Sequence, residues 1–467
     1  MTMAERNPVV LIHGYSDQAA SFKPWKQALI REGYKEEEVH VCEYKSLTNE
    51  VTIKDVAEGF DRALRTRHGI HPDKPFDAIV HSTGMLVLRS WLSTYPGRRG
   101  RLKRLIALAP ATFGSPLAHK GRGFLGAMFK GNRIPGPDFM EAGDLILDGL
   151  ELGSRFTWDL THIDVLGQNP DRKPYFGKGP DSPWVFILCG TESYGGLRGL
   201  VNEPGTDGTV RWAGCALNTQ KITIDLARDG AARRPDDAKR FDSSEIVADS
   251  TLPMPVWLIA GRDHTTILST PEGAALNLVL SALRVKDEDG FTGWQQEAEA
   301  ATKDTMGSAP QWQQFVVRAV DERRDPISDW YMELFETAPD GTSTRVDFDL
   351  NVHAYRADPS LRCFHVNLTD LGGLWPDGNI PPLKVRVIAS SGSDLVGYHG
   401  LGSERITPDG VKMTRDGVWD AEVSLPETFG DARARLFWPF TTTFLELRLN
   451  RDPMPFGEDK NRVCYFV

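Results

Sequence analysis

The segment Phe76-Asp77-Ala78-Ile79-Val80-His81-Ser82-Thr83-Gly84-Met85 constrains this chain more than any other. An apolar run stops at a serine flanked by small residues, and a helical apolar pattern resumes directly after it. A strand that turns into a helix so abruptly strains the serine's backbone and pushes its hydroxyl into the open. The first N–H groups of the following helix, which have no partner within it, then face the same point. Small residues are needed before and after the serine because strand and helix pass close together. Gly84 meets that need on the far side, whereas Val80 stands where the G-x-S-x-G pattern has its first glycine. Taken alone, the segment also reads as a buried strand followed by an ordinary Ser-Thr helix cap.

Three further features separate those readings. Upstream, Pro8-Val9-Val10-Leu11-Ile12-His13-Gly14-Tyr15-Ser16 is an apolar strand that runs into His-Gly. A backbone N–H just beyond such a strand, with the N–H of the residue after the serine, forms an oxyanion hole. The expected donors are Tyr15 and Thr83. Downstream, Gly205-Thr206-Asp207-Gly208-Thr209-Val210 follows the strand-like Trp184–Gly190 after a glycine-rich loop. It presents a carboxylate able to orient an imidazole, although Asp-Gly is also a common tight turn. Finally, Pro255-Val256-Trp257-Leu258-Ile259-Ala260-Gly261-Arg262-Asp263-His264 is another apolar strand that stops at a glycine and presents a histidine. The order along the chain is Ser82, Asp207, His264, that is, nucleophile, acid, base.

Val10 to Ser16, Val80 to Gly84, Ala109-Pro110-Ala111-Thr112-Phe113-Gly114-Ser115-Pro116, Thr206 to Val210 and Asp263-His264 together resemble the lipase branch of the α/β-hydrolases. The resemblance covers about the first 285 residues. It implies a mostly parallel, doubly wound sheet with a lid insertion after the Gly-Ser-Pro segment. Carried over by position, it implies Ser82 as nucleophile, Asp207 as acid, His264 as base, and Tyr15 with Thr83 as oxyanion donors. Val80 departs from the family's pattern.

The chemistry explains why these residue types are needed together. A serine hydroxyl is a poor nucleophile at neutral pH, so His264 accepts its proton during attack and returns it to the leaving group. Asp207 holds the imidazole tautomer and stabilises the cation that forms. Each oxyanion donor contributes on the order of 3 kcal/mol in comparable sites. Two competing acids remain: Asp263, on a strand that carries the acid in many other α/β-hydrolases, and Glu192, just past Gly190. An Asp263 acid needs a later base, and the next histidine is His353. His13 and His81 flank the site in sequence and read as structural.

Composition narrows the classes. With 467 residues and 40% hydrophobic content, the chain can bury a large core and is expected to form two domains. A formal net charge of −10 argues against nucleic acid as a partner. No run approaches the ~20 apolar residues of a membrane span, and Met1 to Asn7 lacks the apolar core of a secretory signal. The expected address is cytoplasmic, with export lacking a cleaved signal left open. Cys42, Cys189, Cys215, Cys363 and Cys464 are odd in number and widely spaced, which favours reduced thiols over disulfides or a zinc site. No metal and no cofactor is expected; His162 and Asp164 alone do not make a metal site.

Short apolar strands near residues 9–13, 39–44, 78–81, 105–108, 185–189 and 256–260 alternate with helical patterns at 22–32, 53–68, 85–95 and 272–285. Residues 1–286 thus read as the catalytic domain. Within it, 112–182 is a cap whose apolar residues line an acyl pocket. A polar stretch, 287–314, reads as a linker or bridging helix. From 315 to 467 the period changes to two, with strands at 315–320, 330–335, 346–350, 363–368, 383–388, 419–425 and 444–449, which implies an antiparallel β-sandwich. The expected activity is cleavage of a small-molecule or lipid ester by a lipase, esterase or phospholipase. An amidase or thioesterase would use the same triad, and a catalytically inactive hydrolase-like binding protein is the alternative from another class.

Overall fold

A computed structural model describes residues 6–14, 19–44, 50–118, 144–177, 181–195, 202–227, 241–242, 253–369, 371, 380–393, 396–399, 406–407, 410–411, 418–425 and 436–453. The chain divides into two compact units. One comprises Met1–Thr219, Val247–Trp312 and Phe440–Thr442; the other comprises Gln220–Ile246, Gln313–Pro439 and Thr443–Val467.

The first unit is built on a parallel sheet. Its strands are β1 (Val9–Ile12), β2 (Val39–Cys42), β3 (Phe76–His81), β4 (Leu102–Leu108), β5 (Trp184–Gly190) and β8 (Val256–Ile259), in the order β2-β1-β3-β4-β5-β8. These are the six runs expected from sequence, each apolar because helices cover both faces of the sheet. Helices α1 (Lys23–Arg31), α2 (Ile53–Thr66) and α3 (Gly84–Thr94) fill the early crossovers. Thr52 starts α2 with a reciprocal cap: Asp55 N–H donates to its hydroxyl and its own N–H donates to the Asp55 carboxylate. Helix α3 is buried from Gly84 to Leu92, which explains why its sequence is apolar on every side.

Two helices of the region read as a cap are described, α4 (Asp144–Leu150) and α5 (Arg155–Asp164); residues 119–143 and 178–180 of that region lie outside the described residues. After β8 come α6 (Thr266–Ser269), α7 (Gly273–Ala282) and α8 (Glu288–Ser308). Helix α8 is the polar stretch, yet it buries Phe291, Trp294, Ala298 and Thr302, and its two aromatic rings pack on Phe186 of β5. Glu297, Glu299 and Lys303 point outward.

In the second unit antiparallel pairing prevails. A smaller sheet runs from β11 (Ser343–Arg345) through β10 (Asp329–Thr337) and β14 (Leu383–Ser390) to the strand Val418–Ser424. A larger one runs from β12 (Leu350–Ala354) through β13 (Leu361–Asn367), β9 (Trp312–Asp321), the strand Thr442–Pro453 and β6 (Thr219–Asp225) to β7 (Phe241–Asp242), with β15 (Val396–His399) also paired to Thr442–Pro453. Their facing residues share one apolar core that includes Trp330, Val385 and Val387 from the smaller sheet and Ile222, Val317 and Leu445 from the larger. The sandwich expected from sequence is present, but its strands differ in part: β7, β11, β12 and β15 are additional to the expected runs. The run 346–350 is not a strand: Val346 to Asp349 cross from one sheet to the other between β11 and β12. Strand β6 was not anticipated, and it precedes its partner strand by more than 200 residues. Among the described residues, no helix is long and apolar enough to cross a membrane.

Candidate active site

Ser82 leaves β3 with φ at 53°, in the left-handed region that side-chain-bearing residues seldom adopt. The turn is pinned on both sides: Ser82 N–H donates to the Leu108 carbonyl, and the Ser82 carbonyl accepts from Ala111 N–H. Two glycines leave the room that the elbow needs. A Cβ on Gly84 would sit 2.6 Å from the Ile12 carbonyl oxygen, and one on Gly14 would sit 2.8 Å from the Ser82 Cβ. Space beside the serine is therefore made from the end of β1, which is why Val80 is tolerated, fully buried, where a glycine was expected.

Thr83 is the N-terminal cap of α3 and is buried, so its N–H stands among the groups that a helix cannot pair internally. Tyr15, the other expected oxyanion donor, lies outside the described residues.

Asp207 and His264 meet. Asp207 Oδ2 lies 2.8 Å from His264 Nδ1, with both side chains buried. His264 N–H also donates to the Asp207 carbonyl at 3.0 Å, so the two loops are joined by backbone as well as side chain. The carboxylate is oriented from its other side, since Oδ1 accepts from the N–H groups of Thr209 at 3.0 Å and Val210 at 2.8 Å. In the neutral imidazole, an Nδ1–H donating to this carboxylate leaves the lone pair on Nε2.

Neither Asp263 nor Glu192 faces that ring nitrogen. Asp263 Oδ1 accepts from Thr265 N–H, Thr266 N–H and the Thr266 hydroxyl, closing the first turn toward α6. Glu192 is exposed, and its Oε1 accepts from the neighbouring Thr191 hydroxyl.

His264 is linked to the elbow through His81. His81 Nε2 donates to the His264 carbonyl at 3.0 Å, and the two rings lie 4.6 Å apart. Burial, and then the neighbouring His264, hold the His81 imidazole well below its ordinary pKa, so it is neutral. Among the described residues, the Ser82 hydroxyl makes no hydrogen bond. His13 belongs to the same framework: its ring stacks on Tyr44 at 4.6 Å and its Nε2 accepts from Tyr44 N–H.

Several residues support the site in ways the sequence alone does not assign. The Cys189 thiol, at the end of β5, donates to Asp207 Oδ2 at 3.6 Å, and burial pushes its pKa well up, so it remains a thiol. Ser115, from the Gly-Ser-Pro segment, donates to the Thr209 carbonyl at 2.6 Å and so braces the acid loop. Arg89 on α3 is fully buried and pairs with Asp164 of α5 through two N–H groups at 2.8 and 2.9 Å. It also donates to the Thr112 carbonyl at 2.6 Å, fastening the elbow helix to the segment after β4. Asp164 is thereby committed, and His162 Nδ1 donates to the Trp158 carbonyl. Among the described residues, no group of three His, Cys, Asp or Glu side chains is arranged to hold a metal.

Residues 6–90 match the family Lipase (class 2). A search of curated proteins found no match. Among solved structures, phospholipase PlaB from Legionella pneumophila in complex with thio-NAD is 20% identical, with a TM-score of 0.74 over 98% of this chain and 97% of that one. A second structure of phospholipase PlaB from the same organism is 22% identical, with a TM-score of 0.72 over 96% of this chain and 94% of that one. The first unit of this chain has the α/β-hydrolase fold.

Proposed function

We propose that this chain is a serine hydrolase that cleaves the carboxylic esters of lipids, a phospholipase or lipase acting through an acyl-enzyme. The observation that carries the reading is the His264 ring, held by Asp207 on Nδ1 and joined through His81 to a serine in a strained elbow. The likeness of the whole chain to a phospholipase supports a phospholipid ester as substrate.

Ser82 attacks the ester carbonyl while His264 Nε2 takes the hydroxyl proton. Catalytic hydrogen bonds of this kind are often long before substrate binds, and they tighten in the complex. The tetrahedral oxyanion is met by the N–H of Thr83 and, from the β1 loop, by that of Tyr15. Imidazolium then gives its proton to the departing alcohol, forming the acyl-serine. Water, deprotonated by the same nitrogen, releases the acid and restores the site. Asp207 fixes the tautomer throughout and stabilises the transient charge.

The test is hydrolysis of p-nitrophenyl esters and of phosphatidylcholine vesicles by wild type, Ser82→Ala and His264→Ala. Loss of turnover in both variants with the fold retained supports the reading. Undiminished turnover in Ser82→Ala would overturn it.

A further inference from the structure

We propose that Tyr194 is a positioning residue for the triad, a single hydroxyl that ties the loop of the acid to the turn of the base. The inference rests on the hydrolase reading above and names a residue that sets how well that site is held. Tyr194 lies four residues beyond the end of β5 and is buried. Its hydroxyl shares a hydrogen bond with the Thr209 hydroxyl at 2.7 Å and has the Thr265 side chain as a second partner. Thr209 stands two residues after the acid, and Thr265 directly follows the base. Thr209 N–H is also one of the two donors on Asp207 Oδ1, so where the threonine side chain is held decides where that N–H points.

The tyrosine is itself fixed. Its backbone N–H donates to Asn202 Oδ1 at 3.1 Å, and Asn202 Nδ2 donates to its carbonyl at 2.7 Å. The ring closes over Gly208, whose φ is 94° and where an added Cβ would stand 2.8 Å from Tyr194 Cδ2. A side chain at 208 would push the ring, and its hydroxyl with it, off Thr209. Burial first, and then the Asp207 carboxylate, push the phenol above its ordinary pKa, so it stays a hydroxyl able to donate and to accept. Packing against Gly208 would need only the ring. A buried hydroxyl adds a desolvation cost unless its bonds are made, and here they are made to the two loops that carry the acid and the base. The bond from His264 N–H to the Asp207 carbonyl already joins those loops. Tyr194 supplies a second tie, which stops them from turning about the first. A displacement of about 1 Å in such a pair costs on the order of 10²-fold in rate.

The experiment compares full-length Tyr194→Phe, Thr209→Val and the two combined on a soluble p-nitrophenyl ester. Each single variant should lower kcat about tenfold with KM within about twofold of wild type, because the pair is misplaced while substrate binding is untouched. The double variant should be no worse than either single one, since both remove the same bond. Added to Asp207→Asn, Tyr194→Phe should cost less than about twofold more, because the group it positions is already disabled. A readout free of turnover is the His264 Nδ1 proton resonance in Ser82→Ala protein, which Tyr194→Phe should broaden through faster exchange with water. Thr209→Val carries the test should Tyr194→Phe fail to fold. Wild-type kcat in the folded single variants, additive losses in the double variant, an undiminished loss on Asp207→Asn, or an unchanged resonance would each overturn the proposal. If wild type hydrolyses no ester, the hydrolase reading falls, while the resonance still decides whether Tyr194 holds the pair.

Discussion

The parallel sheet of the first unit and the antiparallel sheets of the second handle polar chemistry in opposite ways. In the first, strands run in one direction, so the loops after β1, β3, β5 and β8 open at the same edge and bring His13, Ser82 and His264 to one place. Buried polar groups there are paired with one another: Asp207 with His264, Arg89 with Asp164. In the second, side chains alternate between faces, so charged groups are spread along the strands: Lys221 pairs with Glu446 on the larger sheet, and Glu333 with Arg345 on the smaller. Strands that run one way gather chemistry at one edge, whereas antiparallel strands distribute it over two faces.

The strongest way to break that comparison is to remove the gathered groups. Ser82→Ala and His264→Ala should each lower ester turnover by about 10⁴- to 10⁶-fold, because such groups act as a unit. Val366→Phe in the second unit should leave turnover of a short soluble ester within a few-fold of wild type. A collapse of that turnover would mean that the two units do not divide their roles as argued.

Asp207→Asn should cost about 10³- to 10⁴-fold, through the wrong imidazole tautomer. Asp263→Asn should cost only a few-fold, since its oxygens serve a local turn. The reverse ranking, measured on the same ester, would move the acid to Asp263.

The next effect is on stability. Arg89→Met leaves Asp164 buried and uncompensated, and should destabilise the first unit by about 3–5 kcal/mol in urea unfolding. Arg89→Met with Asp164→Leu should recover much of that loss, because an apolar pair of similar size carries no stranded charge. An unchanged midpoint in the single variant would show that the pair is not closed to water.

The smallest effect concerns pH. His81 is neutral in the fold with a depressed pKa, so the unfolded chain binds its proton first. Its contribution is fully present above the unfolded value of about 6.5 and is lost as pH falls below that point toward the folded value. Thermal unfolding from pH 7.5 to 5 should therefore decline less steeply in His81→Gln than in wild type. Equal slopes would show that His81 does not titrate between the folded and unfolded states.

Much of the first unit was legible because its strands are short apolar runs that stop at residues with chemistry: His13, Ser82, Gly190, and Asp263 with His264. The parallel sheet makes those stops meaningful. What escaped was set by packing across the chain. Cys189 looks like any core residue until Asp207 is seen against it, and nothing local marks Arg89 as the partner of Asp164. The room at the elbow comes from Gly14 rather than from position 80, a trade visible only once β1 and β3 lie side by side. In the second unit, β6 could not be placed because its partner strand lies more than 200 residues on, and Val346 to Asp349 kept an alternating pattern while crossing between sheets.

Reaction with a fluorophosphonate, followed by peptide mass mapping, reads out whether the elbow serine is activated. A single adduct on Ser82 is expected, absent from Ser82→Ala and strongly slowed in His264→Ala. An adduct on another residue, or none on the folded wild-type protein, would contradict it.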